Sequence, residues 1–306
     1  MNSFIDIFLI ALFTSLSCAV SGNFLLLRRM SMIADAISHT VLLGIVTAFF
    51  IAGNLDSPLL IAGAAMTGVF TVWLIETLCR KNLMAPDAAI GIIFPLLFSI
   101  AVILITRYAS HVHIDADCII EGELAFAPFD RLVIDGVDYG AKGLYTGGGM
   151  FLFTASVIAL FYKEFALSSF DPIFAEIAGF SPMTIHYGLM SLVSLVIVTA
   201  FHSVGSVLVI AFLIIPAMTA SLWTRTLSSR IFLSCFIGAA GALSGIAGAI
   251  YGDTSLAGMM AAFLCLFFLI SLFLSPSAGF LAAWRRRRKQ KHRLLQSIDT
   301  GNGRPL

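Results

Sequence analysis

Nine stretches of this chain are each apolar for about the length a helix needs to cross a bilayer, and that regularity decides the fold class. A span takes roughly 20 apolar residues at helical rise. The runs are 4–27, 30–52, 58–79, 87–106, 146–163, 184–202, 204–224, 231–251 and 255–275. Only Ser203 parts the sixth run from the seventh, so the sequence is compatible with eight or nine spans. Backbone groups in hydrocarbon have no water to bond and must pair within their own segment, so runs of this kind form helices. The expected class is all-α, a polytopic membrane helix bundle. Composition excludes the alternatives. Across 306 residues, 59% are hydrophobic and 11% charged, with a mean hydropathy of +0.99. A soluble domain carries about 25% charged residues. Nucleic acid is excluded as a partner.

The Met1-Asn-Ser-Phe-Ile-Asp6 start lacks the positive region of a signal peptide, so the first run is expected to be kept as a span. Five cysteines, Cys18, Cys79, Cys118, Cys235 and Cys265, follow no metal-binding spacing, and four sit in or at the ends of apolar runs. There they act as small hydrophobes rather than as disulfide partners or thiolate ligands.

Orientation follows from Lys and Arg. With nine alternating spans and a cytoplasmic C-terminus, fifteen of the eighteen basic residues fall inside, including Arg28, Arg29, Arg80 and the cluster Arg285–Lys289. Only Arg107, Arg131 and Lys142 fall outside. The expected organisation is a membrane domain over 1–284 and a basic cytoplasmic tail over 285–306, the tail lying against anionic headgroups. The long loop 108–148 falls outside the membrane on the extracytoplasmic side. It carries seven acidic residues, Asp115, Asp117, Glu121, Glu123, Asp130, Asp135 and Asp138, with His111 and His113. Such a surface attracts cations and suits a cation-delivering protein. An ordinary extracytoplasmic loop is polar too, and both readings stand.

One pair of side chains stands out against the apolar background. Asp35 and His39 lie four residues apart in the second run, on one face of a helix. Ionisable groups at such depth are expensive and are read as functional by default. At helical rise His39 lies about 15 Å beyond Arg29, near the middle of a core about 30 Å thick. Carboxylate oxygen with imidazole nitrogen suits first-row divalent ions, whereas Ca and Mg prefer oxygen alone. The helix offers only two ligands, so the pair reads as half of a site.

Other features carry weaker signals. In the insertion 168–182, Asp171 suits an N-cap, Pro172 a first turn and Gly179 a helix end, with Pro182 beyond it. Ile173, Phe174 and Ile177 share one side of this short helix, which fits either a partner's groove or the bilayer surface. Pro216, inside the seventh run, is a candidate gate, although a structural kink is the commoner use. Glu76 precedes Arg80 by four residues and is expected to pair with it. Asp253 is expected to take a turn or capping role, and His202, at an outer span end, to pack, with transient metal ligation the less common alternative. The glycines around Gly241 and Gly245 permit close helix contact.

Several collinear segments resemble the permease subunits of manganese/zinc/iron ABC importers, the ABC-3 family, of the TroC/TroD or MntC/MntD type. They are Arg29-Met-Ser-Met-Ile-Ala-Asp-Ala-Ile-Ser-His39, Phe170-Asp-Pro172 through Gly179, and Val204-Gly-Ser206 through Pro216-Ala217. The loop His113-Ile-Asp-Ala-Asp117 through Glu121-Gly-Glu123 and Phe126–Asp130 is similar to the TroC/TroD version. The resemblance spans Leu27 to about Phe273. It implies two permease subunits, identical or sister chains, with two cytoplasmic ATPase subunits and an extracytoplasmic metal-binding protein, in a bacterial cytoplasmic (inner) membrane. It implies that Asp35 and His39 are metal ligands. It also implies that the 168–182 segment is a coupling helix, with Phe170, Asp171, Pro172, Ala175 and Gly179 at the matching positions.

On this reading the chain holds no permanent cofactor, and the divalent metal is cargo. The chain contains no Gly-x-x-x-x-Gly-Lys-Ser/Thr phosphate loop, so ATP hydrolysis is expected in a partner rather than in this chain. The rival from the transporter class is a self-sufficient secondary carrier that couples the metal to protons. An intramembrane metalloenzyme ranks well below both, because no His-Glu-x-x-His signature is present.

Overall fold

The computed structural model describes residues 2–53, 57–80, 84–108, 124, 127, 130–134 and 137–275. The other residues of the acidic loop, among them His111, His113, Asp115, Asp117, Glu121, Glu123 and Asp135, lie outside the described residues, as does the basic tail. Eleven helices and one hairpin make up the described chain. In order they are α1 (Asn2–Leu27), α2 (Ser31–Ala52), α3 (Pro58–Arg80) and α4 (Pro86–Tyr108), then β1 (Arg131–Ile134) and β2 (Val137–Ala141). There follow α5 (Lys142–Leu160), α6 (Tyr162–Phe170), α7 (Pro172–Ile177), α8 (Pro182–Val204), α9 (Ser206–Trp223), α10 (Leu227–Gly252) and α11 (Leu256–Leu274). Nine of them, all but α6 and α7, are long and apolar enough to cross a bilayer. The fold is an all-α bundle, and the antiparallel β1–β2 pair is its one sheet among the described residues.

The open question between eight and nine spans turns on Gly205. Its N–H donates the last bond of α8, to Phe201 O at 3.0 Å. Its own carbonyl accepts the first bond of α9, from Val209 N at 3.1 Å. With φ 79° and ψ 166°, this joint takes a backbone conformation open essentially to glycine alone.

α1 is the hub, packing on α5, α8, α9 and α10, while α2, α3 and α4 form a second group joined to it through α8. The hub role comes from small and polar residues that let helices approach closely. Thr14, Ser15, Ser17, Ser21 and Asn23 are all buried. The Asn23 amide donates to Ser234 Oγ of α10 at 2.7 Å and to Ala19 O at 2.6 Å. A Cβ on Gly22 would fall 1.9 Å from Leu213 O, so α1 and α9 touch backbone to backbone. At Gly245 a Cβ would fall 2.4 Å from Met260 Cα, so the glycine stripe serves close packing of α10 on α11 within the chain. Around these contacts Ile10, Phe24, Leu25, Leu189, Met190, Ile197, Leu208 and Phe212 fill the core.

Pro216 is buried within the continuous helix α9, near the contact of α1 and α10. Its Cγ lies 3.8 Å from where a Gly238 Cβ would be, and Ser15 Oγ lines the same spot. Asp253 takes a left-handed backbone (φ 52°) and donates its N–H to Ala249 O, the capping role expected of it. His202, expected to pack, is instead exposed near the end of α8. At the start of α5, Lys142 Nζ bonds Asp130 Oδ1 at 2.9 Å, and Arg131 ties the hairpin to Asp6 of α1 at 3.8 Å.

Candidate metal site

The turn that leads into α2 fixes where Asp35 and His39 stand. α1 closes with Met30 N bonded to Leu25 O at 3.0 Å and Arg29 N to Leu26 O at 3.1 Å. That is the paired 6→1 and 5→2 pattern of a left-handed helix stop, with Arg29 at φ 58° in the position glycine usually takes. α2 starts at once, and its buried face (Ile33, Ala36, Ile37, Thr40, Val41, Gly44) turns the opposite face outward.

Asp35 and His39 stand at the edge of that outward face. His39 Nε2 lies 3.6 Å from Asp35 Oδ1, with 30% of the imidazole side chain and 46% of the carboxylate side chain exposed. Two ligands each about 2.1 Å from a zinc-sized ion at the tetrahedral angle are about 3.4 Å apart. The observed spacing is therefore close to the bite of a single divalent cation. The His39 ring is held from the α4 side by Phe94, at 5.0 Å between centroids, and edge-on by Phe98 at 6.2 Å. From the α3 side, Thr71 Oγ1 donates to Thr40 Oγ1 at 2.9 Å, which pins the residue after His39. Among the described residues no group of three or more His, Cys, Asp or Glu side chains comes together. A cleft of about 310 Å³ between α2 and α3 lies farther along α2, lined by Leu43, Thr47, Ile51, Met66 and Phe70. It is apolar and offers no cation ligand.

The 168–182 segment divides into the end of α6, the six-residue α7 and a tight turn. Asp171 Oδ1 accepts from Phe174 N at 2.9 Å, and Pro172 occupies the first turn. At the other end Phe180 N bonds Ala175 O and Gly179 N bonds Glu176 O, both at 3.0 Å, with Gly179 at φ 87°. Both caps fall where the sequence puts them. Ser181 then caps α8, and Pro182 is its first residue. Ala175 is fully buried, whereas Phe170, Ile173 (72%), Phe174 and Ile177 (78%) are exposed. Such an exposed apolar cluster on and beside a short helix suits either a partner's groove or the bilayer surface.

One polar cluster escaped the sequence reading. Glu76, expected beside Arg80 of its own helix, has its Oε1 against His186 Nε2 of α8, and Arg28 reaches the other ring nitrogen. The Arg80 side chain lies outside the described residues. Nothing in local spacing joins residues 28, 76 and 186. The only sequence signal was three ionisable residues, each within about one turn of an apolar run's end.

A bundle of this kind defines a polytopic helical membrane protein. Within that class the chain belongs to the ABC 3 transport family, whose model matches residues 1–275. Among its relatives is the manganese transport system membrane protein MntD of Bacillus subtilis strain 168. That protein is 42% identical over 263 residues, covering 86% of this chain and 89% of its own length. The zinc transport system membrane protein TroD of Treponema pallidum is 39% identical over 274 residues, with 90% and 74% covered. A solved structure, PsaBC from Streptococcus pneumoniae in complex with Fab, matches with a TM-score of 0.76. It is 30% identical, with 92% of this chain and 95% of that one covered.

Proposed function

We propose that this chain is the permease subunit of an ATP-binding cassette importer that carries a divalent transition metal ion (Mn, Zn or Fe) across a bacterial inner membrane. The observation that carries the reading is the Asp35–His39 pair, spaced at 3.6 Å for one cation and left half-open on the face of α2. Two ligands bind too weakly to hold a metal resident. Two copies, or a copy and a sister permease, meeting across a two-fold axis would bring two Asp and two His ligands to one ion. A transient site of that kind, near mid-membrane, is what alternating access requires.

Energy enters at the other end of the reading. The exposed apolar side of α7, with Phe170 beside it, docks a cytoplasmic ATPase subunit, and closure of two such subunits tilts α7 and switches access to the pair. An extracytoplasmic metal-binding protein delivers the ion. The relatives named for manganese and zinc transport support the cargo class, and the Asp/His donor set fits both metals and iron equally. The permease itself performs no bond chemistry.

The test is uptake of manganese or zinc into proteoliposomes that contain the permease together with its ATPase, supplied with the metal-binding protein. The expected result is ATP-dependent uptake that Asp35→Ala and His39→Ala each lower at least a hundredfold in complexes that still assemble. Uptake by the permease alone, driven by a proton gradient, would establish the secondary carrier instead.

A further inference from the structure

The Arg28 guanidinium is bonded along its whole fork. Nε donates to Ser169 Oγ at 3.1 Å, Nη2 donates to Ser168 Oγ at 3.2 Å, and Nη1 donates to His186 Nδ1. An imidazole that accepts at Nδ1 carries its proton on Nε2, and that nitrogen faces Glu76 Oε1. The result is a line of charge-assisted contacts, Arg28 to His186 to Glu76, that joins four helices: α1, α6, α8 and α3. Burial pulls the Arg28 guanidinium's pKa down from its ordinary value, and the Glu76 charge works against that fall. His186 and Glu76 side chains are only 13% and 14% exposed. Carboxylate and imidazole would ordinarily suit a metal, but a guanidinium bonded to the imidazole opposes a second cation there.

The places this cluster touches are informative. Ser168 and Ser169 immediately precede Phe170 and the Asp171 cap of α7, and His186 lies in the first turn or so of α8, just after the Gly179 stop. Arg28 therefore grips the chain both as it enters the docking segment and as it leaves. On its other side Arg28 directly follows the last residue of α1, and the tight turn 28–30 passes directly into α2 and Asp35. Glu76 gives a second route, because α3 carries Thr71, whose hydroxyl bonds Thr40 next to His39.

We propose that Arg28, His186 and Glu76 are positioning residues that convert displacement of α7 into displacement of α2, so that ATP hydrolysis is coupled to opening of the Asp35–His39 pair. The proposal rests on the permease reading above. A guanidinium suits this task because its planar fork fixes three partners in one geometry, whereas an ammonium would hold them loosely. The cluster does not touch the ion, and its role is to keep the docking segment and α2 moving together.

The test uses the reconstituted permease, ATPase and metal-binding protein, and reads metal ions transported per ATP hydrolysed. Arg28→Lys and His186→Leu are expected to leave ATPase association and basal hydrolysis within twofold of wild type, while the metal-to-ATP ratio falls at least tenfold. His186→Gln, whose amide both accepts from Arg28 and donates to Glu76, is expected to keep the ratio within threefold. A His186→Leu complex with the wild-type ratio overturns the proposal, since packing alone then suffices. Loss of assembly in all three variants overturns it as well, by assigning the cluster a purely structural role. Absence of ATP-dependent uptake in the wild-type complex would instead sink the permease reading, an outcome separate from either of these.

Discussion

The hydroxyl of Thr71 on α3 bonds the hydroxyl of Thr40 on α2 at 2.9 Å, and both residues are fully buried, with Thr40 one position from His39. Polar side chains that bond across helices in a bilayer contribute on average about 0.6 kcal/mol and at most about 1.7. Thr71→Val is accordingly expected to lower stability by about 0.6–1.7 kcal/mol, measured by detergent-denaturant unfolding. A larger effect on uptake than on stability would show that the bond's main role is to set the angle of the imidazole.

The bite between Asp35 and His39 is set by one helical turn and a short carboxylate. Asp35→Glu keeps the charge but pushes the oxygens out by one methylene, past the spacing that one tetrahedral ion spans. Metal uptake should drop more than tenfold in Asp35→Glu with complex assembly unchanged. Retention of full uptake would mean that charge alone is recognised at this position.

Gly179 stops α7 with φ at 87°, where any Cβ is strained. Gly179→Ala should cost about 1–2 kcal/mol locally. The visible consequence is at the ATPase interface, since the stop sets how α7 is presented. Titration of the ATPase subunit onto permease in nanodiscs should show weakened association, several-fold or more, with the helix content of the bundle unchanged.

Gly22 is the opposite case, a glycine whose φ is ordinary but whose neighbour is backbone. A methyl group there would overlap Leu213 O at 1.9 Å, and a main-chain atom does not step aside. Gly22→Ala should separate α1 from α9 and cost about 1–3 kcal/mol or more. The midpoint of thermal unfolding in detergent checks it, and Gly91→Ala, where nothing lies within 4 Å, serves as the control.

The parts of this protein legible in its sequence are those decided by short-range rules. Hydropathy located nine apolar runs to within a few residues of the helices they form. Capping chemistry placed Asp171, Pro172 and Gly179 on a short helix, and i,i+4 spacing brought Asp35 and His39 together. The misplaced boundaries have tertiary causes. α5 begins at Lys142 rather than Thr146, because it starts directly from β2 with Lys142 bonded to Asp130. The break at Phe161, which makes α6 a separate helix, leaves no mark in an apolar run. The contact of Glu76 with His186, 110 positions away, joins two helices and lies beyond anything helical spacing can suggest. α1's buried hydroxyls were visible as letters, but their meaning depended on which helices would surround them.

The one-residue joint at Gly205 has an evolutionary corollary. Because a single residue terminates α8, initiates α9 and supplies hydrogen bonds to both, inserting or deleting even one position there would rotate every following side chain by about 100° around the α9 axis. Pro216 and Leu213 would leave their contacts with α1, and no neighbouring loop could absorb the change. Relatives that share this bundle should therefore vary in length elsewhere, and keep both the spacing between Phe201 and Val209 and the glycine between them.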